Sequence, residues 1–388
     1  MNTPAVVVIA YSRPATLARL LTSLARADYP PGVAVPLLIS IDGGPRQHRD
    51  VVAAAEEAAW SAGPKEIVAH ESNLGLIDHY LWAGEQSERF GAVALIEDDQ
   101  VVSARWHAFA TAALDAVGDD ARVAQVNLGA PWFNGFTGDP FDPLDDGADT
   151  FYGRFPFMGG AVVTADGWRR LRPVLEAPIA PVALRDLHPA WSRLRADEWL
   201  PRLAAHLASA GRHVLYPRVA LSVPWGDAGT HFTTPTRYFQ VPLARRRAAW
   251  TIHPLDSADS VYDQHQELDA GVARRLSPHL ASVDLEMDLW AIRPRHAVRA
   301  AHVVTTRPAA RSIASYGAQL RPLEANVLEG VPGTEIHLAR AEDVDWSPRG
   351  ARHARSVVAA WATRDRRPSV AGVARDAMRG AVDRLSGR

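Results

Sequence analysis

Three carboxylates in a row, Glu97, Asp98 and Asp99, directly follow an apolar run in the segment ALIEDDQVV. Side by side they repel one another unless something positive sits among them. A divalent cation bridging a diphosphate meets that need with hard oxygen ligands, keeping water or phosphate oxygens in its remaining positions. The plain alternative is a solvated turn in which Asp98 or Asp99 caps a helix at its positive dipole end. A second acidic pair, Asp197 and Glu198 in RADEWL, stands at the head of a helical stretch. One such carboxylate, on a segment separate from the triplet, suffices as a general base removing a proton from an acceptor hydroxyl. The competing role for Asp197 is helix N-capping.

The elements that must position these groups are legible as alternating apolar runs and amphipathic stretches over the first 130 residues, the pattern of a parallel sheet with crossover helices. Residues 5–10 read as a buried strand. After Pro14, suited to a first helical turn, Leu17, Leu20, Leu21 and Leu24 recur at helical spacing. PLLISID is a second strand ending at Asp42 beside Gly43 and Gly44, EIVAH a third, residues 92–96 a fourth and ARVAQVNL a fifth. Arg13, Asp42 and the acidic triplet therefore gather just past successive strand ends, the edge of an open parallel sheet where ligands bind. Arg13 precedes proline and is held extended, which aims it over that edge; its alternative is an ordinary surface position. Asp42 before two glycines fits a turn aspartate equally well. His79 lies on an amphipathic helix, where a lone histidine is more often packed than ligating. In WGDAGTHFTTPTRYF, Thr230 and His231 offer hydrogen-bond donors on a loop to which Gly226 and Gly229 lend backbone freedom.

Further on, residues 133–157 read as one long loop, rich in Gly, Pro, Asp and aromatics, that covers a site. A strand and helix return at 160–175, a helix at 197–208, and RHVLYPRVALSV reads as one strand. Beyond 242 the pattern weakens: 281–305 and 333–339 are strand-rich, 351–362 helical, and 369–386 an amphipathic helix. Its small, alanine-rich face suits packing on protein better than a membrane surface. The expected fold is α/β, a Rossmann-like domain with a mostly parallel sheet over residues 1–245, followed by an α+β extension over 246–388.

The chain has 388 residues, 47% hydrophobic and 22% charged, with a net charge of −2, which gives no argument for nucleic acid or anionic membrane as a general partner. It has no cysteine, so disulfides, thiol nucleophiles and Cys-ligated metals are excluded. Lys65 is the only lysine among 42 basic residues, a bias read as that of a GC-rich, bacterial genome. Twelve tryptophans allow stacking on sugar rings, although core packing is their commoner use. The N-terminus lacks a basic n-region and no apolar stretch spans a bilayer, which points to the cytoplasm, with contact at the membrane surface as the variant location.

Taken in order, VVVIAYSRPATLARLL, LLISIDGG, HYLWAGEQ and ALIEDD resemble the GT-A fold glycosyltransferases. The similarity is to the inverting N-acetylglucosaminyltransferases of the Golgi N-glycan pathway and to family 2-like bacterial glycosyltransferases. FYGRFPFMGGAVV, RADEWL and GDAGTHF resemble, in the same order, the segment before that family's acceptor region, its acidic stretch before a tryptophan, and its donor-closing loop. The resemblance runs over residues 6–239. It implies a UDP-sugar donor with GlcNAc as a candidate sugar, a glycan or lipid-linked glycan acceptor, and Mn2+ or Mg2+ as cofactor. It implies that Arg13 contacts the donor diphosphate, Asp42 and His79 the uracil, and Glu97 and Asp98 the ribose surroundings. Asp99 would be the direct metal ligand, Asp197 the base with Glu198 as the neighbouring candidate, and Thr230 and His231 part of the loop closing over the phosphates. A homo-oligomer is compatible with the terminal amphipathic helix. The chain departs from the family in its lack of an anchor and of cysteine and in the loop 133–157, which puts acceptor and sugar in question. Two competing classes are a sugar-nucleotidyltransferase, disfavoured because AYSRPATL has no glycine for a phosphate loop, and an inactive carbohydrate-binding scaffold. A dinucleotide enzyme is disfavoured by the lack of G-x-G-x-x-G after the first strand.

Overall fold

A computed structural model describes residues 3–44, 48–177, 186–188, 191, 199–227, 235, 240–247 and 249–347. The chain opens with β1 (Ala5–Ala10), α1 (Pro14–Ala25), β2 (Leu37–Ile41), α2 (His48–Glu57), β3 (Lys65–Ala69), α3 (Leu76–Glu85), the short α4 (Ser87–Phe90) and β4 (Ala92–Glu97). β1, β2 and β4 are apolar runs because they are covered on both faces; Val6, Val7 and Val8 are fully buried, whereas β3, at the sheet edge, is only partly buried. Pro14 starts α1 at its first turn, and Leu17, Leu20, Leu21 and Leu24 all face the core.

The turn after β4 leads to β5 (Gln100–Val102), α5 (Trp106–Val117), β6 (Val123–Asn127), β7 (Thr150–Gly153), β8 (Ala161–Thr164), α6 (Ala165–Glu176), α7 (Trp199–Ala210), β9 (His213–Pro217) and β10 (Ser222–Pro224). Among the described residues nine strands form one sheet in the order β11-β7-β9-β6-β8-β4-β1-β2-β3, where β11 is Val261–Tyr262. The half β4-β1-β2-β3 is wholly parallel, while β8 runs antiparallel to both β4 and β6. The fold is thus α/β with a mostly parallel central sheet, as expected. Thr164 caps α6 with its hydroxyl, accepting from Gly167 N at 3.1 Å.

Two expectations about local structure are corrected. The stretch 133–157 is not all loop, because TFYG forms β7 within it. All four residues are buried, so no polar-apolar alternation marks them as a strand. The loop before β7 is tied down by Arg218, whose guanidinium donates to the carbonyls of Pro143, Leu144 and Ala148 at 2.6–2.9 Å and pairs with Asp146. RHVLYPRVALSV, in turn, is two strands. Arg218 leaves β9 to serve that loop, and β10 pairs with β5 in a separate two-stranded sheet.

After β11 come α8 (Ala270–Leu276), β12 (Leu285–Asp288), β13 (His302–Thr305), β14 (Ala314–Tyr316), α9 (Leu323–Leu328) and β15 (Ile336–Arg340). A four-stranded mixed sheet, β12-β13-β15-β14, accounts for the strand-rich character read in this region. Its apolar residues Leu285, Met287, Val304, Ile336 and Leu338 belong to the same continuous core as β1 and β4. The helices expected at 351–362 and 369–386 lie outside the described residues.

Candidate functional site

The strand order makes β1 a topological switch point. The chain winds from β1 through β2 to β3 on one side, and β4 returns on the other. Connections leaving the carboxyl ends of β1 and β4 therefore diverge and open a crevice, the usual ligand position in such sheets. Arg13 follows β1 and the acidic triplet follows β4, so the crevice is lined by these residues.

Arg13 stands just before α1, its carbonyl accepting from Leu17 N at 3.1 Å and Thr16 Oγ1 at 2.8 Å. With the backbone held there, its guanidinium reaches across the crevice to pair with Asp98 and, at 3.0 Å, with Asp99 Oδ2. The positive charge the triplet requires is thus supplied in part from within the chain. Asp98 is almost fully buried. Burial pushes its carboxyl up to about 6, with Arg13 working in the opposite direction and Asp99 adding to the rise. Burial pushes Glu97 further, to about 8, helped by the charges of Asp99 and Asp98. One guanidinium leaves this corner with an excess of negative charge.

Asp99 caps no helix. It sits in the turn joining β4 to β5, with its carbonyl accepting from Trp225 N at 2.8 Å and its Oδ1 from Gln100 Nε2 at 3.2 Å. Gln100 is itself fixed by Ser222 Oγ at 3.0 Å. The β5–β10 ladder therefore clamps the acidic turn from below, and the Asp99 side chain keeps 27% of its surface exposed. Asp99, half-buried like Glu97, keeps a side chain that a ligand can reach, whereas Asp98 is buried.

Asp42 and His79 have other partners. Asp42 Oδ1 accepts from Gly43 N at 2.8 Å and Leu74 N at 2.7 Å, and Oδ2 from Gly75 N at 3.1 Å. It staples the turn after β2 to the loop preceding α3. His79 is 3% exposed, and its Nε2 shares Ser40 Oγ with His70 Nε2, at 2.6 and 3.0 Å. Burial lowers its pKa to about 4, Asp42 pulling the other way. His79 is a packed histidine whose inward ring nitrogen is committed to Ser40. Asp197, Glu198, Thr230 and His231 lie outside the described residues. Trp199, the next residue after Glu198 and the first of α7, stacks on Tyr80 at 4.9 Å and 9°. The Tyr80 phenol is raised mainly by burial, with a contribution from Glu97.

Tyr11 carries no role in the sequence reading, yet it is 41% exposed between Arg13 and the turn after β2. A side chain at Gly44 would approach its ring to 2.8 Å. The available signal is an aromatic residue directly past the end of β1. Trp106 and Trp168 are core residues, whereas Trp225 is 40% exposed and carries the Arg19 guanidinium over its ring at 4.8 Å.

The donor set can be tested against a divalent cation. Among the described residues no three His, Asp or Glu side chains form a ready metal cage. The acidic turn instead suits a hard cation that takes one or two carboxylate oxygens and completes its shell from phosphate and water. The surplus negative charge and the accessible Asp99 fit that use.

No model of a known protein family matches the chain, and no curated protein matches it in sequence. Among solved structures it is similar to S. aureus TarS 1-349 in complex with UDP, at 20% identity and TM-score 0.26, over 34% of this chain and 36% of that one. The mannosyltransferase PcManGT from Pyrobaculum calidifontis, in complex with GDP-Man and Mn2+, matches at 15% identity and TM-score 0.35, over 55% of each chain. GalNAc-T7 with UDP, GalNAc and Mn2+ matches at 12% identity and TM-score 0.38, over 56% of this chain and 42% of that one. The chain spans about one third to just over half of these proteins. At such overlap their chemistry is not transferable, and function has to be read from the side chains lining the crevice. No helix among the described residues is long and apolar enough to cross a membrane.

Proposed function

We propose that this chain is a glycosyltransferase that takes a sugar from a nucleoside diphosphate donor, UDP being favoured, and transfers it with inversion to a hydroxyl of a glycan or lipid-linked glycan. The observation that carries this reading is the meeting of Arg13 with Asp98 and Asp99 at the switch point of the parallel sheet. A cation and a diphosphate together match that constellation: the acidic turn takes the cation, and the guanidinium offers a forked donor to phosphate oxygens. Asp99 would hold Mn2+ or Mg2+, which would neutralise charge on the departing diphosphate. Glu97 and Asp98 line the ribose side of the crevice. Tyr11 presents an exposed ring beside the turn after β2, suited to the face of a base. Asp42 acts there through the backbone it fixes.

Asp197 is the favoured general base and Glu198 its alternate, on the acidic pair directly ahead of Trp199. Thr230 and His231 contribute donors to a loop closing over the phosphates. The catalytic unit is assigned to residues 1–245, with 246–388 as an extension, and GlcNAc is the first sugar to try.

Calorimetry with UDP on wild type and Asp99→Asn tests the central claim. Wild type should bind UDP with Mn2+ and lose most affinity in EDTA, while the variant is weak in both. Equal binding by the two proteins removes Asp99 from the site. With a UDP-sugar substrate, Asp197→Asn should keep donor binding and lose transfer by roughly 10²–10⁴-fold. An anomeric NMR assay of the product expects inversion; a product with the donor's own anomeric configuration rejects it.

A further inference from the structure

The ion pair at the acidic turn ties one guanidinium to two carboxylates. Arg13 Nη2 bonds one oxygen of Asp98 and one of Asp99, and Gln100 Nε2 takes the other oxygen of Asp99. Each oxygen of the carboxylate assigned to the cation thus accepts one side-chain hydrogen bond. Arg13 is anchored at its backbone by Leu17 N and Thr16 Oγ1, yet its side chain keeps 31% of its surface exposed, so the guanidinium has room to move outward. Asp98, by contrast, is buried beneath it at 4% side-chain exposure and cannot follow.

We propose that Arg13 is a built-in counter-ion that stands in for a divalent cation at Asp99 and gives way to it when the cation ligates that carboxylate. The stand-in role follows from geometry alone: one guanidinium meets two carboxylates from a segment about 85 residues away, and among the described residues neither acid pairs with another cationic side chain. The trigger for release rests on the nucleotide-sugar reading above. A diphosphate gives the guanidinium a forked acceptor of higher charge, so it draws Arg13 off Asp99 as the cation arrives. Cation and donor then load cooperatively, and by linkage each raises the affinity of the other by the same factor.

The test is Mn2+ binding to the full chain, followed by the EPR signal of free Mn2+, with and without UDP. Wild type should bind Mn2+ alone weakly and gain affinity with UDP. Arg13→Gln should bind Mn2+ alone about tenfold more tightly than wild type, within the usual range of coupling between sites. UDP should then add little. Arg13→Met, which keeps the stem of the side chain, serves as a second variant, and a thermal melt establishes that each is folded. Arg13→Lys, which keeps a positive charge, should stay near wild type. Adding Asp99→Asn to Arg13→Gln should abolish the gain, which assigns it to this turn. Unchanged or weaker Mn2+ binding by folded Arg13→Gln and Arg13→Met overturns the proposal. A gain in Mn2+ affinity with no UDP binding by any form supports the counter-ion and removes the nucleotide reading instead.

Discussion

Asp42 and Asp99 both follow strands of the same sheet edge, and their carboxylates are used differently. Asp42 is 4% exposed and satisfies three backbone amides, so its charge is spent on architecture. Asp99 is held by an arginine and a glutamine side chain, partners that can rearrange when a stronger one arrives. His79 belongs with Asp42. Its ring sits edge-on to His70 at 5.4 Å, and both imidazoles share the single hydroxyl of Ser40 in β2. Burial depresses the His79 pKa from 6.5 to about 4. A histidine kept neutral by the fold contributes stability above its unfolded value, and that contribution is lost as the pH falls through 6.5 toward 4. The unfolding free energy of wild type, from urea titrations, should therefore drop between pH 7 and pH 4.5 more than that of His79→Gln, by about 2 kcal/mol. Parallel pH profiles for the two proteins would show that His79 carries no such linkage.

At the level of elements, the turn after β2 depends on a close backbone approach. A Cβ on Gly43 would collide with the carbonyl group of Ser72 and lie 2.7 Å from Asn73 N. Backbone cannot yield as a flexible side chain does, so Gly43→Ala should destabilise the fold by about 1–3 kcal/mol, the usual range for overpacking. It should also weaken nucleotide binding by displacing the turn from Tyr11. A calorimetric melt with a wild-type Tm would show that the loop carrying Ser72 can move away. The strands of the parallel half and helix α1 are readable in the sequence because their signals are local: branched apolar runs, Pro14 and the leucine spacing. Arg13 and the acidic triplet are legible as strand-end residues for the same reason. Their ion pair is not, because it needs β4 to lie beside β1, a pairing that joins residues about 85 positions apart. The β5–β10 ladder that clamps Asp99 escapes sequence reading likewise: QVV and SVP are three residues each, too short for a periodicity. His79 enters the binding set on the resemblance alone, although its helix already suits packing, and Ser40 in an otherwise apolar strand is the sequence sign of its partner.

On the scale of the whole molecule, the nine-stranded sheet is linked to the C-terminal region through β11, the edge strand that joins it after residue 245. The ring of Tyr262 packs edge-on against Phe141 at 4.9 Å. Its hydroxyl accepts from Leu144 N and donates to Glu324 Oε1 in α9, both at 2.6 Å. One phenol thus links the loop before β7, the main sheet and the C-terminal region. Glu324 is 5% exposed, and burial raises its pKa from 4.5 to about 7, the bond from Tyr262 offsetting part of the rise. A carboxyl whose folded value is raised favours the fold when protonated, so its contribution is complete below pH 4.5 and is lost as the pH rises through 7. Glu324→Gln keeps an oxygen to accept from Tyr262 and has no proton to lose. Between pH 4.5 and pH 8 wild type should lose about 3 kcal/mol relative to this variant, measured as the gap between their denaturant midpoints. The variant should be the more stable protein at pH 8, because the buried negative charge is gone. Other titrating groups act on both proteins alike, so the gap isolates Glu324. A gap that stays constant across this range would mean that Glu324 is not buried as a neutral acid and that the link from β11 to α9 does not depend on its proton.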